Sequence, residues 1–129
     1  MKIKLDISSE VIANMMTSAM ESGDPVTTAA RGGWCDGIFV LEGGSNHENW
    51  YADPKTYDWP FVIKIVEVDD ERTGHTIPHL VRQKDMARGL IIMASKYPHV
   101  FKNVLNGDTD APCADIFLQC TVFGKEKYA

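Results

Sequence analysis

Apolar and polar residues alternate with a period of two over residues 2–8, where Ile3, Leu5 and Ile7 are interleaved with Lys2, Lys4 and Asp6, and this predicts a half-buried strand. The period then changes. Val11, Ile12, Met15, Met16, Ala19 and Met20 recur at helical spacing before Gly23, with Ser8 or Ser9 as candidate cap and Glu10 in the first turn, where a carboxylate is favoured. Residues 23–33 read as a loop, opened by Asp24-Pro25 and closed by Arg31-Gly32-Gly33. It leads into a predicted strand over 34–41 and not into a helix N-terminus, so neither the P-loop nor the dinucleotide fingerprint is satisfied. Residues 61–68 and 75–81 alternate again and are joined by a turn at 69–74, which predicts an antiparallel hairpin; Pro78 makes its second arm an edge or bulged strand. Met86, Leu90, Met93, Ala94 and Tyr97 share a helical face behind a candidate cap at Asp85. Pro98 ends that helix, and a short one follows to Asn106.

The most clearly bounded helix is the last. Asp110 can cap it, Pro112 stands in its early turn where a missing N–H costs least, and Gly124 can take the left-handed conformation that stops it. Cys113, Ile116, Phe117, Leu118, Cys120, Val122 and Phe123 make it apolar on nearly every side, so it is predicted to be a central helix packed on several faces. Asp115 and Gln119, one turn apart, form its only polar strip. They could bind a donor-rich ligand, satisfy backbone groups of the glycine loops, or meet water.

Between the second strand and the hairpin lies a long stretch, residues 42–60, holding Gly43, Gly44, Pro54 and Pro60 around Trp50, Tyr51, Tyr57 and Trp59. Structureless loops of more than about 12–15 residues in a compact domain tend to be functional or disordered, and four aromatics argue against disorder. The stretch is therefore either a ligand or partner surface, with Trp34 beside it, or a loop pinned to the sheet by its own rings.

Composition narrows the picture. A chain of 129 residues, 44% hydrophobic and 24% charged, fits one domain spanning 1–129 and contains no apolar run long enough for a membrane span. The N-terminus lacks the continuous apolar core of a secretion signal, so a cytoplasmic location is expected. Three cysteines without paired spacing fit reduced, buried thiols. The net charge of −5 disfavours generic nucleic-acid binding, although Arg82, Lys84 and Arg88 gather into a local basic group.

Candidate chemistry is sparse. His75 and His79 have the spacing of a helical metal pair, but Pro78 and the strand context spoil it. Asn106, Asp108 and Asp110 imitate the start of a calcium loop, yet Ala111 stands where the glycine is needed; no metal and no cofactor are expected. Cys35, next to Asp36, could serve as a nucleophile if His47 or His99 came close in space.

The segments VIANMMTSAMESG (11–23), GGWCDGI (32–38), DMARGLIIMASKYPHVF (85–101) and ADIFLQCTVFGKEKYA (114–129) resemble a family of small phage- and prophage-encoded proteins. Its members carry a TAxEGGxxYW-like motif after an early helix and end in an ADxxLQxxxFGxxxYG-like signature. Either Gly32-Gly33 or Gly43-Gly44 can correspond to the glycine motif, and Ala129 stands where the signature has glycine. The resemblance implies a phage setting and assigns no chemistry.

The expected architecture is α+β: an antiparallel sheet of about four strands (2–8, 34–41, 61–68 and 75–81) against the first helix and a C-terminal three-helix layer. The expected function is that of a non-enzymatic phage or prophage accessory protein binding a host or defence component, with Trp34, Asp36, Trp50, Tyr51, Tyr57, Trp59, Asp115 and Gln119 as binding candidates. The rivals are a small nucleotide- or ligand-binding protein or enzyme using Cys35, Asp36 and Asp115, and a structural homo-oligomer of the virion.

Overall fold

The computed structural model describes residues 8–21, 33–44 and 48–128. The strand expected over 2–8, apart from Ser8, and most of the glycine loop expected over 23–33 lie outside them. The described chain runs α1 (Ser9–Glu21), β1 (Cys35–Glu42), a 3-10 turn (Trp50–Ala52), α2 (Lys55–Asp58), β2 (Val62–Asp70), β3 (His75–Arg82), α3 (Gln83–Lys96), α4 (Pro98–Leu105) and α5 (Ala111–Phe123). The fold is α+β. Among the described residues its sheet has three antiparallel strands in the order β1-β2-β3, where four were expected over the whole chain.

The register explains which face is buried. Ile38, Ile65 and His79 lie side by side across the sheet, as do Val40, Ile63 and Val81, and these rows face the helices. The alternate row of Phe39, Lys64 and Leu80 faces outward, with the Lys64 ammonium 5.2 Å from the centre of the Phe39 ring. The period of two read from the sequence thus sorts the side chains correctly.

Helix α5 is central, as its all-round apolar character requires. It packs against α1, α3, α4 and β3. An Asp110 carboxylate oxygen accepts from the Cys113 N–H at 3.1 Å, and Gly124 ends the helix at φ 74°. One boundary differs from expectation. Asp85 is not the cap of α3 but lies inside its first turn, where its carboxylate accepts from the Arg82 N–H at 2.8 Å and satisfies a donor the helix leaves free.

Helices α3 and α5 approach closely because Gly89 has no side chain. A Cβ there would stand 2.8 Å from Thr121 Cα and 2.9 Å from its backbone nitrogen. Backbone cannot yield as a flexible side chain does, so Gly89→Ala is expected to cost about 1–3 kcal/mol through overpacking. A denaturant midpoint unchanged from the parent protein would refute this. No helix among the described residues is long and apolar enough to cross a membrane.

Candidate functional site

The structure divides the candidate residues into three groups. Trp34, Asp115 and Gln119 meet at the C-terminal end of the chain; Trp50, Tyr51 and Tyr57 turn into the core; Trp59 and Asp36 face solvent.

The first group forms a clasp. Gln119 is fully buried, and its side-chain amide acts as a surrogate strand: Oε1 accepts from the Lys127 and Tyr128 N–H groups, each at 2.8 Å, and Nε2 donates to the Tyr128 carbonyl at 3.0 Å. The same Nε2 donates to Asp115 at 2.8 Å, and Asp115 also accepts from the Trp34 indole N–H at 2.9 Å. Trp34 stacks on Tyr128 with ring centres 6.1 Å apart and planes 2° apart, and meets the edge of Phe123. The polar strip of α5 therefore satisfies backbone, as one sequence reading allowed, but that of the tail after Gly124.

Below the tail lies Glu67, a carboxylate that sequence reading missed. It sits on the inner face of β2 and is 1% exposed. It accepts from Lys127 Nζ at 2.7 Å and from the Tyr128 hydroxyl, and pairs with His79 Nε2 at 2.9 Å. Burial alone would raise its pKa, but these three partners outweigh burial and hold it below the usual carboxylate range. The one available signal was its place in an alternating strand, where Glu67 falls in phase with Ile63 and Ile65.

The second group answers the question posed by residues 42–60. They are not a structureless loop: a 3-10 turn and α2 organise them, and Trp50, Tyr51 and Tyr57 are all 9% exposed or less. Tyr57 donates its hydroxyl to the Tyr51 carbonyl at 2.7 Å, and Thr56 donates to the Trp50 carbonyl at 2.7 Å. Tyr51 donates to Glu21 of α1 at 2.7 Å, a bond that raises the phenol pKa. These rings anchor the segment and cannot present a binding face while it stays folded. Trp59 differs, being 69% exposed.

Two open depressions flank Trp59. One, of about 350 Å³, is lined by Ile12, Phe61, Met86, Leu90, Ile91 and Gln83, with Tyr57 and Asp58 at its α2 side. The other, of about 310 Å³, is lined by Pro60, Val62, Arg82 and Lys84, with Glu42 opposite. Both are lined by Phe61 and Gln83. Asp58 lines the first and Pro60 the second, while Trp59, between them in the chain, lines neither. Arg88 points its charge at Asp85 instead, at 3.0 Å.

The thiols are not activated. Burial pushes Cys35 and Cys120 up to about 11, and Cys113 to about 12, with Asp110 adding to the last. Cys35 is fully buried, and its sulfur lies 3.5 Å from the Gly37 carbonyl. His99 is exposed on α4, and His47 lies outside the described residues. All three thiols should therefore resist a disulfide reagent in native protein and react together on unfolding; rapid native labelling of any one would overturn this. Asp108, Asp110 and Cys113 approach one another at the entrance of α5, where Asp110 caps the helix. His75 and His79 are engaged by different carboxylates, Asp69 and Glu67.

No protein-family model, curated protein or solved structure matches the chain.

Proposed function

We propose that this chain is a non-enzymatic binding protein that engages a partner protein through exposed Trp59 and the apolar depression lined by its chain neighbour Asp58 with Ile12, Phe61, Met86 and Leu90. In the phage or prophage setting that its sequence resemblance implies, the partner would be a host or defence component. The observation that carries the reading is Trp59 itself. Trp34 and Trp50 are 5% and 8% exposed, whereas Trp59 is 69% exposed between Asp58 and Pro60, each of which lines an open depression. Large aromatics exposed beside apolar concavities are the residues that dominate interface energetics.

The enzymatic rival finds less support. Cys35 is buried and protonated, Asp115 is bonded to Trp34 and Gln119, and Asp36 is exposed and apart from both depressions.

The test is capture from infected host cells with wild-type protein and Trp59→Ala in parallel, followed by mass spectrometry. Trp59→Ala should keep its stability within about 0.5 kcal/mol, as exposed substitutions do, yet lose about 2 kcal/mol or more of partner affinity. Equal capture by both proteins would remove this face from consideration.

A further inference from the structure

We infer that a second copy of this chain stacks on the outer face of the sheet, the two copies related by a two-fold axis running along β2. This goes beyond the reading given to Trp59, because the apolar depression lined by Ile12, Met86 and Leu90 is on the helix side and stays open in such a pair. An antiparallel sheet with one solvated side ordinarily carries polar residues there. This one does not. Phe39, Leu41 and Leu80 are half exposed, Val62 and Val66 stand beside them on β2, and Pro78 extends the patch along β3. Gly37 keeps the face flat, since a Cβ there would stand 2.6 Å from the Phe39 ring, which lies back over the strand. Contiguous exposed apolar surface marks an interaction site, and sheets that meet face to face keep their strands nearly aligned.

The register says which occupant fits. β2 is the central strand, so a two-fold axis along it carries β1 of one copy over β3 of the other. Glu42, Val62 and Arg82 form one row, and the operation sets Glu42 of each copy against Arg82 of the other. Phe39, Lys64 and Leu80 form the next outward row, which sets Phe39 against Leu80, again twice. Val62 and Val66 meet their own copies on the axis. Lys64 would meet Lys64, but its ammonium is drawn aside toward β1, 5.2 Å from the centre of the Phe39 ring, so the two lysines lean to opposite edges. What matters about Arg82 is its place across β2 from Glu42, since exposed cations occur elsewhere on the chain. Every contact is made together with its reciprocal, which is the condition for an isologous dimer. A different protein would have to supply that match from its own sequence; a second copy supplies it from this one.

The strands are eight or nine residues long, which gives a face of roughly 14 by 27 Å. That footprint is smaller than the ~800 Å² per partner of a standard interface, so the dimer should form at micromolar concentrations or above and dissociate on dilution.

The experiment is sedimentation equilibrium of the full chain at concentrations reaching about 1 mM, a span that covers dissociation constants in that range. Wild type should shift from monomer to dimer. Leu80→Lys should abolish the dimer, whereas Leu105→Lys, at an exposed leucine of α4, should not. Glu42→Arg and Arg82→Glu should each weaken it roughly ten-fold or more, as two attractive rim pairs become two repulsive ones. Mixed in equal amounts, these two variants should regain the dimer, because each then meets its opposite charge at both contacts. Should either charge variant fold poorly by circular dichroism, the comparison of Leu80→Lys with Leu105→Lys decides alone.

A monomer at every concentration would overturn the inference. So would a dimer that survives Leu80→Lys, which would place the contact on another face. Charge variants that dimerise like wild type on their own, or stay monomeric when mixed, would overturn the axis along β2 and the inference with it. A dimer that appears only after removal of residues 1–7 would assign the face to the chain's own N-terminus and likewise overturn it.

Discussion

Phe117→Ala should cost about 3–5 kcal/mol, a large share of the ~5–15 kcal/mol by which a domain of this kind is stable. Phe117 is fully buried in the middle of α5, the helix that touches α1, α3, α4 and β3. Removing its ring deletes apolar contacts and leaves a void bordered by several elements, and a void enclosed on many sides collapses least. Trp50→Ala belongs to the same class, because Trp50 lies in the same core and its carbonyl accepts from Thr56. Trp59→Ala does not. The contrast is measurable in one set of denaturation curves: large losses of midpoint for Phe117→Ala and Trp50→Ala, little for Trp59→Ala. If Trp59→Ala proved as damaging as Phe117→Ala, Trp59 would be a structural anchor and the proposed binding face would lose its main support.

The elements were legible where one local signal sufficed. For α5, a capping aspartate, an early proline, an apolar run and a terminal glycine all agree, and the observed helix, Ala111–Phe123, follows them. The hairpin was legible from its alternation, even with Pro78 in its second arm. Residues 42–60 were not, because their order depends on distant partners: Glu21 for Tyr51, and Gln83, whose Nε2 donates to the Tyr57 carbonyl at 3.0 Å. Glycine and proline there signal turns, and only tertiary contact shows that the rings between them point inward.

The clasp was half legible. Asp115, Gln119 and Trp34 were marked as candidates on chemistry alone, and they do meet, but as a lock on the tail. Asp115 and Gln119, with Phe123, Gly124 and Tyr128, make up much of the C-terminal signature on which the phage resemblance rests. That signature thus has a physical reason in this chain without any ligand: an αL turn at Gly124, a surrogate strand at Gln119 and a ring stack on Trp34. Glu67 escaped notice because two of its three partners, Lys127 and Tyr128, are 60 and 61 residues away from it in the chain. The larger depression escaped for a related reason, since its lining comes from α1, α2, Phe61 and α3 and no single stretch carries it.

The second large effect is expected at Glu67. Glu67→Ala removes the acceptor shared by Lys127, Tyr128 and His79, and should cost about 2–4 kcal/mol, since hydrogen bonds to a buried charge are worth more than neutral ones. Lys127, whose side chain is 42% exposed, can turn to water, which keeps the cost below that of stranding two buried charges. Adding Lys127→Ala to Glu67→Ala should therefore cost little more, and a double-mutant cycle should show the two sites to be coupled. The tail should loosen, and Trp34, having lost its stacked neighbour, should become accessible to a quencher. Acid provides a second readout. Because the folded-state pKa of Glu67 lies below its unfolded value, the unfolded chain binds more protons between the two. The stabilisation is thus complete above the unfolded value of about 4.3 and is lost as pH falls through the folded one. Wild-type stability should decline over that window more steeply than that of Glu67→Gln, which has no proton to gain there. Parallel acid profiles for the two proteins, or a Glu67→Ala variant as stable as wild type, would show that the tail is not held by this carboxylate.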